Sequence, residues 1–376
     1  MAVAGLGGGG GVRGLVVLMF VENGFRNALL DNMVAVVSAV DGDLFVTHQG
    51  RYILSQPVTF PRRRLELVRG VPGVRSVQPF YLDAAESTRW RNLLNGQTRP
   101  IRVLAVPAGQ LGLLTFLDPQ GRDALDDRPD VALSDERSKP VLYGPIGRDT
   151  QSELNGRRIR VVGRFELGTD FRSNGTLLMT ESNLLRYFPL RQPTPDWGDT
   201  RIDVGVVRLE PGADPEPVRD AVRRNLPPDV IVLTRAELMR KEQNFWEKVT
   251  PVGVVFDIGL VMGLFVGSAI CYQVLFGEVA DRLAEFATLK AMGYRDRDLG
   301  AIIVKEAVYL AALGYGAGLL LSLGLFRWLE AETGLNMILG LSDALLILGL
   351  TVFMCVAAGL LAARKLAAAD PADLFG

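Results

Sequence analysis

The last third of the chain contains three uncharged runs of 20 residues each: Ile258–Gly277, Ala307–Phe326 and Ala344–Ala363. A bilayer core about 30 Å thick takes about 20 residues of helix, and in lipid every backbone polar group must be satisfied within the segment. Buried helices of soluble proteins are usually shorter and rarely come three in succession. The runs are therefore transmembrane helices, and the rest of the reading is built around them.

The average composition hides this division. Across 376 residues, 41 Lys+Arg stand against 42 Asp+Glu. Yet the windows Gly14–Val40, Pro251–Gly277, Leu299–Phe326 and Leu341–Ala363 hold only seven charges: Glu22, Arg26, Asp31, Asp257, Lys305, Glu306 and Asp343. A charged soluble part is joined to membrane segments. The balanced charge excludes nucleic-acid binding by bulk electrostatics. Two cysteines, Cys271 and Cys355, exclude a disulfide scaffold, and one histidine, His48, argues against His-based metal sites. Both cysteines fall inside spans, where small apolar packing is the plain reading.

The first window carries a weaker signal. Leu15–Val21 is apolar, but Glu22 and Arg26 follow closely, and Gly7–Gly11 upstream is a poor helix former. It reads as a first membrane helix with polar groups at its outer end, as a degraded start, or as a signal peptide lacking a convincing cleavage site. The fold class expected is an integral membrane protein with four transmembrane α-helices, the first weak, and a large α/β extracytoplasmic domain between spans one and two. The boundaries are an irregular glycine-rich 1–13, a first span at 14–40, the α/β domain at 41–250 and a second span at 251–277. A cytoplasmic loop follows at 278–298, then a third span at 299–326, a short external loop at 327–340, a fourth span at 341–363 and a tail at 364–376.

Orientation follows from Lys and Arg in the short loops. Arg282, Lys290, Arg295 and Arg297 crowd residues 278–298, and Arg364 and Lys365 flank the last span, whereas the loop 327–340 has only Arg327. The first loop and the tail are cytoplasmic, and the inserted domain is outside. Of the ionisable residues in the spans, Lys305 can snorkel and Glu306 has a cation to find nearby. Asp257 and Asp343, near the outer ends, read as interfacial anchors.

Within the inserted domain, Leu44–Thr47, Arg75–Tyr81, Pro100–Val106, Arg158–Phe165, Thr176–Thr180, Ile202–Leu209 and Val230–Leu233 read as strands. Pro61–Val71 and Pro215–Asn225 read as helices, and a third runs from an N-cap at Thr234 toward Lys248, with Pro251 at the junction to span two. Asp118–Pro129 and Gln192–Asp199 read as loops. His48 stands alone, Trp90, Trp197 and Trp246 are scattered, and no nucleophile elbow or metal motif is present. The domain reads as a binding or docking module.

The loop reads EVADRLAEFATLKAMGYRDRDL. Val279, Leu283, Phe286 and Leu289 share a helical face, Glu278 and Arg282 form an i,i+4 pair, and Gly293 stops the helix. Such a helix either lies on lipid or seats in a groove of a cytoplasmic partner. In span two, Gly259, Gly263 and Gly267 form a ridge for close helix packing, within the chain or across a dimer, and Gly314 and Gly318 offer another in span three.

EFATLKAMGY between two spans resembles the short loop of FtsX/MacB-type permeases of ABC systems. LMFVENGFRNALLDN near the start is similar to the DevC-type branch, and DPADLF after Arg364-Lys365 also fits. The chain has no phosphate-binding loop with its lysine. The resemblance implies a permease homodimer that binds no cofactor itself, with ATP and Mg on a separate ABC ATPase subunit. It implies a coupling helix over Glu278–Met292, whose contact residues are Glu278, Arg282, Glu285, Phe286, Leu289, Lys290, Met292 and Gly293. It further implies a periplasmic membrane-fusion adaptor and an outer-membrane channel, contact with membrane lipids in the plasma (inner) membrane, and export that in the DevC-type branch includes envelope glycolipid. No catalytic residue and no nucleic-acid partner are expected. An FtsX-like regulator that acts on an extracytoplasmic partner without transport is the alternative.

Overall fold

The structure, a computed structural model, describes residues 4–84, 88–125, 128–170, 172–193, 198–333, 335 and 337–367. Trp197, parts of the two expected loops (126–127 and 194–197) and the 370–375 tail motif lie outside the described residues. Two compact units form, one of Leu29–Thr250 with Gly334–Asn336, the other of Met1–Ala28, Pro251–Thr333 and Met337–Gly376.

Helix α1 (Ala4–Met33) breaks at Val34 and is followed by α2 (Ala35–Ser38), β1 (Leu44–His48) and β2 (Phe60–Pro61). A 3₁₀ turn leads to α3 (Glu66–Arg69), β3 (Val74–Asp83), β4 (Trp90–Arg91), β5 (Thr98–Arg99) and β6 (Arg102–Val106). Next come α4 (Pro119–Leu125), β7 (Val131–Asp135), α5 (Pro140–Tyr143), β8 (Gln151–Leu154), β9 (Arg157–Phe165), β10 (Thr176–Thr180) and α6 (Glu181–Tyr187). The first unit closes with β11 (Arg201–Ile202), β12 (Val204–Leu209), α7 (Pro215–Asn225), β13 (Val230–Thr234) and α8 (Arg235–Asn244), which runs into a π turn at Phe245–Val249.

Eleven strands make one mixed sheet in the order β13-β1-β12-β3-β6-β10-β7-β9-β8-β4-β5. Side chains alternate along each strand, so the sheet feeds two cores. Leu44, Val46, Val103, Ala105, Leu177 and Met179 enter one, and Phe45, Leu104, Val106 and Leu178 enter the other. This explains why the strands read as continuous apolar runs: both faces are covered. The first and last long strands of the domain are neighbours, with Leu44 opposite Thr234 and His48 opposite Val230. Where they separate, the Arg235 guanidinium donates to the carbonyls of Ser38, Val40 and Gly42.

Several expectations need correction. The single strand expected at Ile202–Leu209 is split at Asp203, with β11 pairing β2 and β12 pairing β1 and β3. Asp203 is fully buried. It accepts from Arg51 at 2.6 Å, from the Leu82 amide at 2.9 Å and from Arg191, while Arg191 also faces Asp83 at 3.8 Å. Asp118–Pro129 is not all loop: Pro119 opens α4, and Asp118 Oδ1 accepts from the Gly121 amide at 2.7 Å, an N-cap arrangement. The helix expected at Pro61–Val71 is a 3₁₀ turn plus the short α3, because Pro61 belongs to β2. Thr234 does cap α8, through a reciprocal capping box with Glu237. His48 accepts from the Gly50 amide, and Trp90 donates to the Tyr143 carbonyl.

The second unit contains most of α1 with α9 (Pro251–Asp281), α10 (Leu283–Ala291), α11 (Asp296–Thr333) and α12 (Leu341–Ala367). Among the described residues, three helices are long and apolar enough to cross a membrane, over Gly253–Asp281, Arg297–Thr333 and Leu341–Arg364. Residues 327–333, expected in a loop, continue α11. Residues 4–13, expected to be irregular, are helical. At the end of this stretch Gly11 faces Ile270, and the following Val12 and Val16 sit against Gly314 and Gly318. On α9, Gly259 faces Glu22, Gly263 faces Met19 and Gly267 faces Leu15, so all three glycines of the ridge receive α1 within the same chain. Asn23 and Asn27, one turn apart on α1, both donate to Asp343 Oδ1 of α12, at 3.0 and 2.9 Å. Gly24 makes room for the Phe326 ring.

The two cysteines, 84 positions apart, meet between α9 and α12 with Sγ atoms 3.5 Å apart. A membrane-permeable thiol oxidant is expected to join them. In the denatured protein, both maleimide-reactive thiols then disappear together, and labelling of two thiols after oxidation would show that they are not neighbours.

Candidate functional site

The loop between α9 and α11 is shaped by two local devices. The expected helix Glu278–Met292 is interrupted: α9 continues to Asp281, the chain turns at Arg282 with φ −109°, and α10 starts at Leu283. At its other end the Gly293 amide bonds the Lys290 carbonyl and the Tyr294 amide bonds the Leu289 carbonyl, a Schellman motif with Gly293 at φ +98°. Any side chain at 293 would be strained in that left-handed conformation.

The apolar face of α10 is already occupied. Phe286 packs with Val279, Leu299 and Ile303, and half-buried Leu289 and Ala363 complete the cluster. The side chain of Leu283 lies outside the described residues. Arg282 lies 3.7 Å from Glu306 of α11, which supplies the cation expected near that acid. Of the predicted contact residues, Arg282, Glu285, Met292 and Gly293 are exposed, Glu278, Leu289 and Lys290 are half-buried, and Phe286 is buried. Sequence reasoning missed Tyr294, which is 50% exposed beside Met292 at 65%. Its position immediately after the helix-stopping glycine was the available signal.

A second constellation lies in the α/β unit, on α8 just before the π turn. Glu242 is 3% exposed and its Oε1 accepts from the Leu54 amide at 2.6 Å. It borders a small cavity of about 30 Å³ whose other walls include Met33, Val36, Leu54, Arg102, Asp170 and Trp246. Burial pushes the Glu242 carboxyl up to about 7, and burial lowers its neighbour Lys241 from the usual lysine range. Lys241 donates to the Arg51 carbonyl at 2.7 Å rather than to Glu242. The sequence signal was Glu242 one turn after Leu238, a residue of the buried face.

Comparison with known proteins places these features in a family. Residues 5–225 match the MacB-like periplasmic core domain, and residues 258–371 match the FtsX-like permease C-terminal domain. The chain belongs to the FtsX/MacB-type permeases of ABC transporters. Its α/β unit is the extracytoplasmic domain of a membrane permease, and in this family the ATPase is a separate subunit. An uncharacterised ABC transporter permease of Mycobacterium bovis is 25% identical over 368 residues, covering 96% of this chain and 91% of the relative. Two from Mycobacterium tuberculosis strains match to the same extent. The periplasmic region of MacB from Actinobacillus actinomycetemcomitans is 12% identical with a TM-score of 0.38, covering 55% of this chain and 96% of that one. The extracellular domain of the ABC-type transporter YknZ from Gram-positive bacteria is 13% identical with a TM-score of 0.35, covering 51% and 99%. Both structural likenesses are too distant for residue-level comparison.

Proposed function

We propose that this permease transmits the motion of its ATPase partner through α10 and α9 to the extracytoplasmic domain, driving export of an amphiphile such as an envelope glycolipid. The observation that carries this reading is the construction of the loop. A short helix is braced from behind by Phe286 against α11 and presents Glu285, Met292 and Tyr294 outward. A brace of that kind passes a push into the bundle instead of absorbing it. At the other end of α9, Pro251 follows the π turn and α8 directly in the chain.

The permease works as a four-span homodimer with α1 as the first span. A helix of 30 residues is about 45 Å long, enough to cross, and its contacts with Gly314, Gly318 and Asp343 support that role. Two ATPase copies with ATP and Mg bind the α10 tips, and an adaptor leading to an outer-membrane channel docks the extracytoplasmic domain. The start motif LMFVENGFRNALLDN supports the DevC-type branch and a glycolipid cargo.

The test is reconstitution with the ATPase subunit in lipid. The pair Glu285→Arg with Tyr294→Ala is expected to lower stimulated ATPase activity about tenfold, the loss of one good interface contact, without altering thermal stability. Phe286→Ala is expected to cost about 3 kcal/mol of stability instead. Full stimulation by the Glu285/Tyr294 variant would remove α10 as the coupling element.

A further inference from the structure

We propose that Glu242 and the Leu54 amide form a proton-controlled latch that holds α8, and the π turn after it, against the loop 49–59. Three observations carry this. Glu242 is buried on the last full turn of α8, three residues before Phe245 opens the π turn. Its one described hydrogen bond crosses 188 positions to the backbone of a different segment, so it fixes α8 in place and not merely itself. No cation among the described residues forms an ion pair with it, although cations surround it.

Each of those charges is committed elsewhere or meets another partner. Lys241, on the same helix, donates to the Arg51 carbonyl. Arg51 binds Asp203 and the carbonyls of Leu54 and Val58. Across the cavity, Arg102 of β6 pairs with Asp170 and donates to Thr176, and Arg172 stands beside them. The end of α1 and α2 contribute only Met33 and Val36 to this wall. A carboxylate so placed gains little from ion pairing and loses its hydration. The neutral acid keeps the Leu54 bond through its carbonyl oxygen, and its cost of burial is small.

The sign follows directly. Burial raises the carboxyl from 4.5 to about 7, so the docked helix binds more protons than the released one between those values. Docking is strongest in acid, weakens as pH rises from 4.5 and is weakest above about 7. π turns occur frequently at functional sites. Release of α8 frees the element that precedes α9, so external acidity sets the stiffness of that link. The regulatory consequence rests on the proposed role of α9, whereas the latch itself does not.

The experiment is hydrogen exchange on the full chain in lipid nanodiscs, corrected for intrinsic rates, at pH 6 and pH 8.5. Protection of the Leu54 amide and of residues 245–249 is expected to fall roughly tenfold at the higher pH in the wild type. Glu242→Gln is expected to stay protected at both values, and His48→Gln, which removes the sole histidine, to behave as the wild type. Equal wild-type protection at both values, or the same pH dependence in Glu242→Gln, overturns the latch. An infrared band of a protonated carboxyl that titrates near neutral pH gives a readout in the wild type alone, and its absence overturns the latch equally. Stimulated ATPase activity across the same range tests the transmission role separately.

Discussion

Replacing Asp203 with alanine is expected to lower the stability of the extracytoplasmic domain by about 3–5 kcal/mol, the usual cost of stripping one partner from a buried ionic cluster. Two guanidinium groups, Arg51 and Arg191, and the Leu82 amide converge on this carboxylate. Alanine leaves all three in the interior without their acceptor. For a domain of this size the thermal midpoint is expected to fall by roughly 10 °C. The measurement is the domain transition of the full chain in detergent, followed by circular dichroism. Asp203→Asn, which keeps the acceptor oxygen and loses the charge, is expected to fall between. A midpoint for Asp203→Ala within a degree or two of the wild type would show that the cluster is not formed as described.

The second large effect concerns the seat of α1. A Cβ at Gly318 would lie 2.5 Å from Val16 Cγ1, and one at Gly314 would lie 2.5 Å from Val12 Cγ1. Leucine at both positions cannot be accommodated by rotating one side chain, because the β-branched valines meet the helix with their Cβ atoms. Overpacking at each site costs about 1–3 kcal/mol, and the two act on the same contact. Helix α1 is expected to leave the bundle. A cysteine placed at the buried Val16 then reacts with a membrane-permeable maleimide in the double variant and stays unreactive without it. Gly316→Leu, on the same helix with nothing near its Cβ, is the control and is expected to be neutral. Equal reactivity of the cysteine in all three backgrounds rules out the described seat.

What could be read in advance follows the range of the interaction concerned. Three spans were legible because exclusion of charge from lipid acts on every residue of a long run. Helices α7 and α8 were legible because their stops and caps are local: Asp214 and Thr234 cap the backbone a few residues away. Strands β7 and β8 went unread, and so did α4, where proline and aspartate that normally punctuate loops in fact open a helix. The helical glycine run could not be foreseen, since the contacts of this helix, Gly11 with Ile270 and Val12 and Val16 with Gly314 and Gly318, lie more than 250 positions away. At α10 the periodicity of the apolar face was visible, but what covers it was not. The sequence cannot distinguish lipid, partner and the chain's own α11 as occupants. Asp203 and Glu242 were each an acid in an apolar pattern, a visible sign with an invisible explanation, because their partners lie 152 and 188 positions away.

The pairing of β1 with β13 decides how the domain would respond to tension. The lead from α1 and the lead to α8 attach at the same end of this antiparallel ladder, at Leu44 and Thr234. Force that draws the leads apart therefore falls on one rung at a time, as in a zipper, whereas force that moves both leads together leaves the ladder slack. The weakest point of a zipper is its open end, and there Arg235 ties the two leads with bonds to Ser38, Val40 and Gly42. With the Arg235 amide bonded to the Asp43 carbonyl as well, this residue reinforces the end of the ladder at which unpairing of the two leads would begin.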